Sequence, residues 1–455
     1  MGVTAELAER ICGVQYADIP PAVLEVARAV VLDGLGVMLA GHTESMASIL
    51  VQYAAAVGGA PESSIVGTAG RTSAPTAAFV NGTLCHALDF DNTWYPMTHP
   101  TSPTLPGLLA LGQKLHLPAR RLLEALVVAF EVQGRIRLAG SRAAPLFARN
   151  AFHPPGLYGT LGAAAGCARL LDLDALGVRR ALGIAASRCG GLRANVGTMT
   201  KPMHCGTAAR AGVEAAMLAL AGYTASEDVL EADGGVGEAF FGPAALDLPL
   251  VLEGFGAPYR MEKPGVGFKK YPANYYTHRA IDAALDLRER GVTPGSLESL
   301  EVSFPPLPYV CRPAPRTGLE GKFSVQYVMA VALLDGRVAI DSFSDRRRFS
   351  PDVEALLPRI HVSIDESIPV DFVETYVIAR ARLHAGGVVE LRVDQPRGMW
   401  ARPLTAQERK EKFFDCAERL LGRKRAEALA ALVEGMDALG DVSALAEASM
   451  LSADT

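Results

Sequence analysis

The stretch His86-Ala87-Leu88-Asp89-Phe90-Asp91-Asn92-Thr93-Trp94-Tyr95-Pro96-Met97-Thr98-His99 gathers carboxylates, hydroxyls and imidazoles between two apolar segments. Proton transfer beside a carboxylic acid needs that inventory: polar groups to bind the acid, and imidazoles whose ordinary pKa lies near neutrality. Taken singly, the members have plainer roles, the aspartates as helix caps and His86 as a hydrogen-bonded core histidine. Together they read as a site.

A second pattern recurs three times. His99-Pro100, His153-Pro154 and Lys201-Pro202 each place a basic residue before a proline that is expected to open an apolar helix. Proline suits the first helical position, and the N–H groups and dipole there favour anions. A lysine at such a start opposes the dipole, so Lys201 makes most sense with an anion between them. Three such mouths, if they converge, make a polyanion site. The remaining polar residues are plainer by themselves: His153 reads equally well as a helix-start residue, Lys269-Lys270 as a solvated linker pair, His278 as a neighbour of a cap, and Tyr309 as a packing tyrosine.

Other chemistries lack their motifs. There is no Gly-x-x-x-x-Gly-Lys-Ser/Thr and no Gly-x-Ser-x-Gly, and no third glycine follows Gly34-x-Gly36. The nine histidines never form His-x-x-x-His or His-Glu-x-x-His, and His204-Cys205 stands as an isolated pair, so no metal is expected. Forty-four Lys and Arg against 49 Asp and Glu give a net charge of −5, which provides no field for nucleic acid or an anionic membrane. Seven scattered cysteines, never Cys-x-x-Cys, argue against a disulfide framework and suit a reducing cytoplasm. No targeting signal is read in Met1-Gly2-Val3-Thr4-Ala5-Glu6, and no apolar run approaches a membrane span.

The elements that must hold these residues fall into two kinds. At 455 residues, 49% hydrophobic and 20% charged, with a mean hydropathy of +0.19, the chain has apolar surface for more than one core. Helical periodicity is expected at residues 21–39, 74–88, 105–115, 120–138, 156–171, 175–187 and 202–221, with Gly156-x-x-Gly159-x-x-Gly162 marking close packing. Strand patterns follow at 299–304, 359–364, 376–384 and 388–393, with Gly386-Gly387 as a hairpin turn, and helices resume at Thr405. The expectation is a mainly α chain: a helical domain from residues 1–265 plus 404–455, carrying an inserted α+β lid domain at 266–403. A cleft between such domains is where small-molecule sites tend to form.

At these residues the chain resembles the MmgE/PrpD family, whose activities include 2-methylcitrate dehydratase, cis-aconitate decarboxylase and iminodisuccinate epimerase. The resemblance rests on Asn81-Gly82-Thr83 through Asp89-Phe90-Asp91-Asn92-Thr93, Thr98-His99-Pro100, Phe152-His153-Pro154-Pro155, Gly197-Thr198-Met199-Thr200-Lys201-Pro202, Phe268-Lys269, and Lys322-Phe323-Ser324-Val325-Gln326-Tyr327. It implies a large helical domain with a smaller α+β lid, a homodimer, and catalysis without metal or organic cofactor. The segments Thr93 to His99 and Phe152 to Pro155 are most similar to the decarboxylase. The resemblance implies His99 and His153 as an acid/base pair, Tyr309 as a proton donor, Asp89 and Thr93 orienting the substrate, and Lys201 and Lys269 holding its carboxylates. One position departs: Asn274 stands where the decarboxylase has a further active-site histidine, and an amide exchanges no proton at neutral pH. The implied function is therefore a cofactor-independent lyase of a small di- or tricarboxylic acid, by decarboxylation or dehydration, with a dicarboxylate epimerase or a non-catalytic carboxylate-binding protein as alternatives.

Overall fold

The computed structural model describes residues 2–141, 151–243 and 245–451, and the chain is mainly helical. Two compact units emerge: Met1–Ala87, Asp91–Val266 and Ala406–Thr455 form the first, and Leu88–Phe90 with Gly267–Thr405 the second.

The first unit is built on α1 (Pro21–Ala40), α2 (Ala74–His86), α3 (Leu105–Lys114), α4 (Ala119–Ser141), α5 (Thr160–Leu170), α6 (Ala175–Ala186) and α7 (Thr200–Leu220). Pro21 opens α1, and the Asp174 carboxylate caps α6 by accepting the Gly177 N–H at 2.8 Å. Small residues then let the helix backbones nearly touch. A Cβ on Gly82 of α2 would stand 2.9 Å from the Gly206 Cα of α7, and one on Gly162 of α5 would stand 2.6 Å from the Ala129 carbonyl of α4. The helix Ala406–Leu421 closes against α1 through a buried ion pair, Lys412 Nζ to Asp33 Oδ1 at 2.7 Å. Two features depart from the sequence expectation. Helix 156–171 begins as a wider π turn, Pro155–Gly159, and two-residue strands β1 (Ser63–Ser64) and β2 (Arg71–Thr72) pair where no strand pattern exists.

The second unit contains helices α8 (His278–Glu289) and α9 (Val325–Asp335) and strands β3 (Leu297–Phe304), β4 (Ile360–Ile364), β5 (Val377–Leu383) and β6 (Val388–Val393). The sheet runs β4-β3-β5-β6, with β3 parallel to β4 and antiparallel to β5. Leu300, Val302 and Phe304 of β3 and Val377, Ala379 and Ala381 of β5 are buried, the period-2 alternation of a sheet with one covered face. Gly386 and Gly387 adopt φ 84° and 94° between β5 and β6, a conformation natural to glycine.

Gly206→Ala tests the α2–α7 approach. The added methyl meets the Phe79 carbonyl and the Thr83 hydroxyl, so a cost of about 1–3 kcal/mol from overpacking should exceed the helix-propensity gain of about 1 kcal/mol. The urea midpoint should fall; an unchanged or higher midpoint would refute the close approach.

Candidate active site

Helix α2 ends at His86, and the chain then passes irregularly to α3 at Leu105. His99-Pro100 therefore does not open a helix, contrary to the expectation. A helix begun at Pro100 would carry Pro103 and Pro106 inward, where a missing N–H and ring clash break it. Instead Pro106 sits in the first turn of α3, and the Pro100 carbonyl accepts Thr104 Oγ1 at 2.6 Å and Gln133 Nε2 at 3.1 Å. His153-Pro154 and Lys201-Pro202 do lie at helix starts.

Asp91 organises this irregular segment. Fully buried, its Oδ1 takes His86 Nδ1 at 2.8 Å and lies 3.2 Å from His99 Nδ1, while Oδ2 accepts Ser102 Oγ at 2.6 Å. Burial works against the carboxylate charge, yet His86 and His99 outweigh it and hold Asp91 well below its ordinary range. Burial also pushes His86 down to about 4, against the pull of Asp91 and with help from Lys201 and His99. A neutral His86 donates from Nδ1 and keeps its basic lone pair on Nε2. That Nε2 is buried and meets no hydrogen-bond partner among the described residues.

Four imidazoles come together here. Ring centroids lie 4.5 Å apart for His86 and His99, 5.6 Å for His86 and His153, 6.5 Å for His99 and His153, and 5.4 Å for His153 and His204. His153 and His204 meet Nδ1 to Nδ1 at 3.3 Å. His153 is anchored by its own N–H to the Gly191 carbonyl at 2.7 Å. Burial first, then Lys201 and the neighbouring histidines, holds His153 well below the usual imidazole value; burial and Lys201 do the same, less strongly, to His204. Lys201 is buried in the first turn of α7, so a cation faces neutral bases.

Thr93 is fully buried and donates its hydroxyl to the Thr98 carbonyl at 2.6 Å, which shapes the loop between Trp94 and His99. Two arginines brace that loop: Arg260 Nη2 donates to the Tyr95 carbonyl at 2.7 Å and Arg137 Nε to the Met97 carbonyl at 3.3 Å.

In the second unit Lys269 corrects the reading of a solvated pair. It is 1% exposed, and its Nζ donates to Asp89 O at 2.6 Å, Asp89 Oδ1 at 2.9 Å and Ala273 O at 3.4 Å. Asp89 has φ 52°, a strained backbone for a residue with a side chain, and the two hydrogen bonds from Lys269 hold it there. Asn274 caps a short turn, its Oδ1 accepting the Tyr276 N–H at 3.1 Å. His278 is buried at the start of α8, its Nε2 3.3 Å from the Ala273 carbonyl. Tyr309 is 39% exposed on the turn Pro308–Val310, and its carbonyl accepts Arg312 Nε.

Sequence reasoning left out His204, set aside as an isolated pair with Cys205, and gave Asp91 no role of its own. Nor does any sequence spacing announce that His86, Asp91 and His99 offer metal-ligating atom types within 4.8 Å of one another. Both imidazoles turn Nδ1 to the Asp91 carboxylate.

Residues 5–249 match the MmgE/PrpD N-terminal domain and residues 271–438 the MmgE/PrpD C-terminal domain. The chain belongs to the MmgE/PrpD family. Among its relatives, cis-aconitate decarboxylase of Homo sapiens is 34% identical over 97% of this chain and 93% of its own length. Cis-aconitate decarboxylase of Mus musculus is 33% identical over 97% and 92%, and 2-methylcitrate dehydratase of Escherichia coli K12 is 25% identical over 68% and 66%. No helix among the described residues of this family member is long and apolar enough to cross a membrane.

The depressed histidines set an acid limit. With His86 near 4 when folded and 6.5 in the open chain, the unfolded state binds protons first, so stability is intact above pH 6.5 and lost as pH falls toward 4. The slope is at most about 1.4 kcal/mol per pH unit for each such histidine, and Asp91 adds in the same direction at lower pH. Urea midpoints measured from pH 7.5 to 4.5 should decline; a flat profile would contradict neutral buried imidazoles.

Proposed function

We propose that this MmgE/PrpD protein is a lyase that decarboxylates cis-aconitate or a close tricarboxylate analogue, with His99 and His153 exchanging protons with the substrate. The reading is carried by one observation: imidazoles oriented by the buried Asp91 stand with the buried Lys201, whose charge helps to keep His153 neutral. The near-full-length similarity to two cis-aconitate decarboxylases supports decarboxylation over dehydration.

The chemistry follows from charge. A substrate carrying several carboxylates neutralises Lys201 and raises the depressed imidazole pKa values toward working pH. Loss of CO2 breaks a C–C bond and leaves its electron pair on the allylic carbon framework; one proton then forms the new C–H bond. Asp91 touches no reacting atom and acts as a positioning residue, fixing the tautomer and ring plane of His86 and His99. Thr93 and Asp89 orient the acid, Lys269 and Asn274 contribute to its binding, and Tyr309 serves as a proton donor. We assign residues 266–403 the role of a lid domain, and the cytoplasm as the compartment.

A homodimer completes the proposal. Ile49, Tyr53 and Val57, at 56%, 43% and 49% exposure, line one face of the helix Met46–Val57, and a second copy would cover that stripe. A monomer mass of 48.0 kDa at sedimentation equilibrium would overturn this part.

Proton NMR of the protein with cis-aconitate should show the vinyl signals of itaconate. Their absence, with loss of water from 2-methylcitrate instead, would make the protein a dehydratase. His99→Ala should lower kcat by about 10²–10⁴-fold with the fold intact. Asp91→Asn should lower kcat by about 10–100-fold and shift the pH profile, and wild-type kinetics in either variant would overturn the assigned roles.

A further inference from the structure

Decarboxylation of a tricarboxylate trianion to a dicarboxylate dianion and CO2 consumes one proton per turnover, and that proton must reach a buried base from solvent. His153 is that kind of base: it is 6% exposed, and Lys201, His86, His99 and His204 are the charged or titratable groups around it. His204 is the one whose ring nitrogen touches it, Nδ1 to Nδ1 at 3.3 Å, which requires one ring to donate and the other to accept. His204 is itself only 6% exposed, but what covers it is thin. Its ring packs beneath Gly191, where a Cβ would stand 2.8 Å from Cγ, and the glycine, at φ 96°, is only half-buried. The adjoining Leu192 and Met203 are 53% and 38% exposed. A thin glycine cover over an imidazole joined to a buried imidazole is a short path for a proton.

We infer that His204 is the relay through which His153 is resupplied with protons from solvent. This rests on the lyase reading above. His153 gives its Nε2 proton to the carbanion while His204 passes its Nδ1 proton to His153 Nδ1 and takes one from water at Nε2, and ring flips then restore the starting tautomers for the next turnover. No oxidant or further reactant is needed. Lys201, the other charge facing His204, disfavours a lasting cation on either ring and so suits transfer rather than storage.

His204→Gln keeps a polar side chain that cannot relay, and His204→Ala opens space for added imidazole. With cis-aconitate as substrate, both variants should bind with KM within about 2-fold of wild type, lose about 10²-fold in kcat, and show a larger solvent deuterium isotope effect on kcat. Imidazole should restore part of the rate to His204→Ala and none to His204→Gln. Unchanged kcat, a loss confined to KM, or no rescue would overturn the relay. If the wild type releases no itaconate, the decarboxylase reading fails separately, and the relay is judged without turnover. Protein labelled with 15N-histidine should show a coupling between the two Nδ1 atoms, lost in His204→Gln, and absence of that coupling in the wild type overturns the relay.

Discussion

A buried carboxylate is the constraint on which the site depends. Leaving Asp91 charged at zero exposure costs several kcal/mol of desolvation unless donors surround it. His86, His99 and Ser102 supply them, so the charge and its partners are mutually required. That requirement explains why the chain after α2 abandons helix: residues 91–102 must fold back so that a serine and a histidine reach the carboxylate from the far side of a loop braced by Arg137 and Arg260.

The helical scaffold meets the constraint through its small residues. Lys201 and His204 lie within the first five residues of α7, whose Gly206 meets Gly82 of α2, the helix that ends at His86. A bulkier pair at that crossing would separate the helices and with them the cation and the imidazoles. The glycines at 156 and 162 play the same part for the helical run that follows His153, the first against the Gly190 carbonyl and the second against α4. Packing and chemistry are therefore linked: close-packed glycine faces set the spacing on which the proton chemistry relies.

What was legible in the sequence divides along the range of the interactions. Strand Val388–Val393 was readable because β-branched residues concentrate there and two glycines precede it, and Pro21 marked the start of α1 because proline presets that turn. Two-residue strands at 63–64 and 71–72 carry no period to read. The motif from His86 to His99 was visible as an inventory, yet its organiser was not, since Asp91 works through contacts five and eight residues away across irregular chain. His204 escaped because its partner lies 51 residues earlier. Lys269 misled by itself because a lysine pair beside glycines has the composition of a solvated linker, and only tertiary contacts with Asp89 show otherwise.

The amide at position 274 bears on how the acid–base work is divided. Its Oδ1 caps the turn at Tyr276 while its N–H donates to the Lys322 carbonyl at 2.9 Å, and asparagine is among the strongest capping residues. A histidine there would add a titratable group to the second unit and weaken that cap. With asparagine, the second unit keeps the Lys269–Asp89 pair but offers no proton from position 274. The helical unit alone holds His86, His99, His153 and His204 with the carboxylate that orients two of them. On the lyase reading, the proton that replaces CO2 then comes from this array or from Tyr309, and not from position 274. The decisive property of the site is accordingly the connection of its imidazoles to one another and to solvent, more than the number of histidines that surround the substrate.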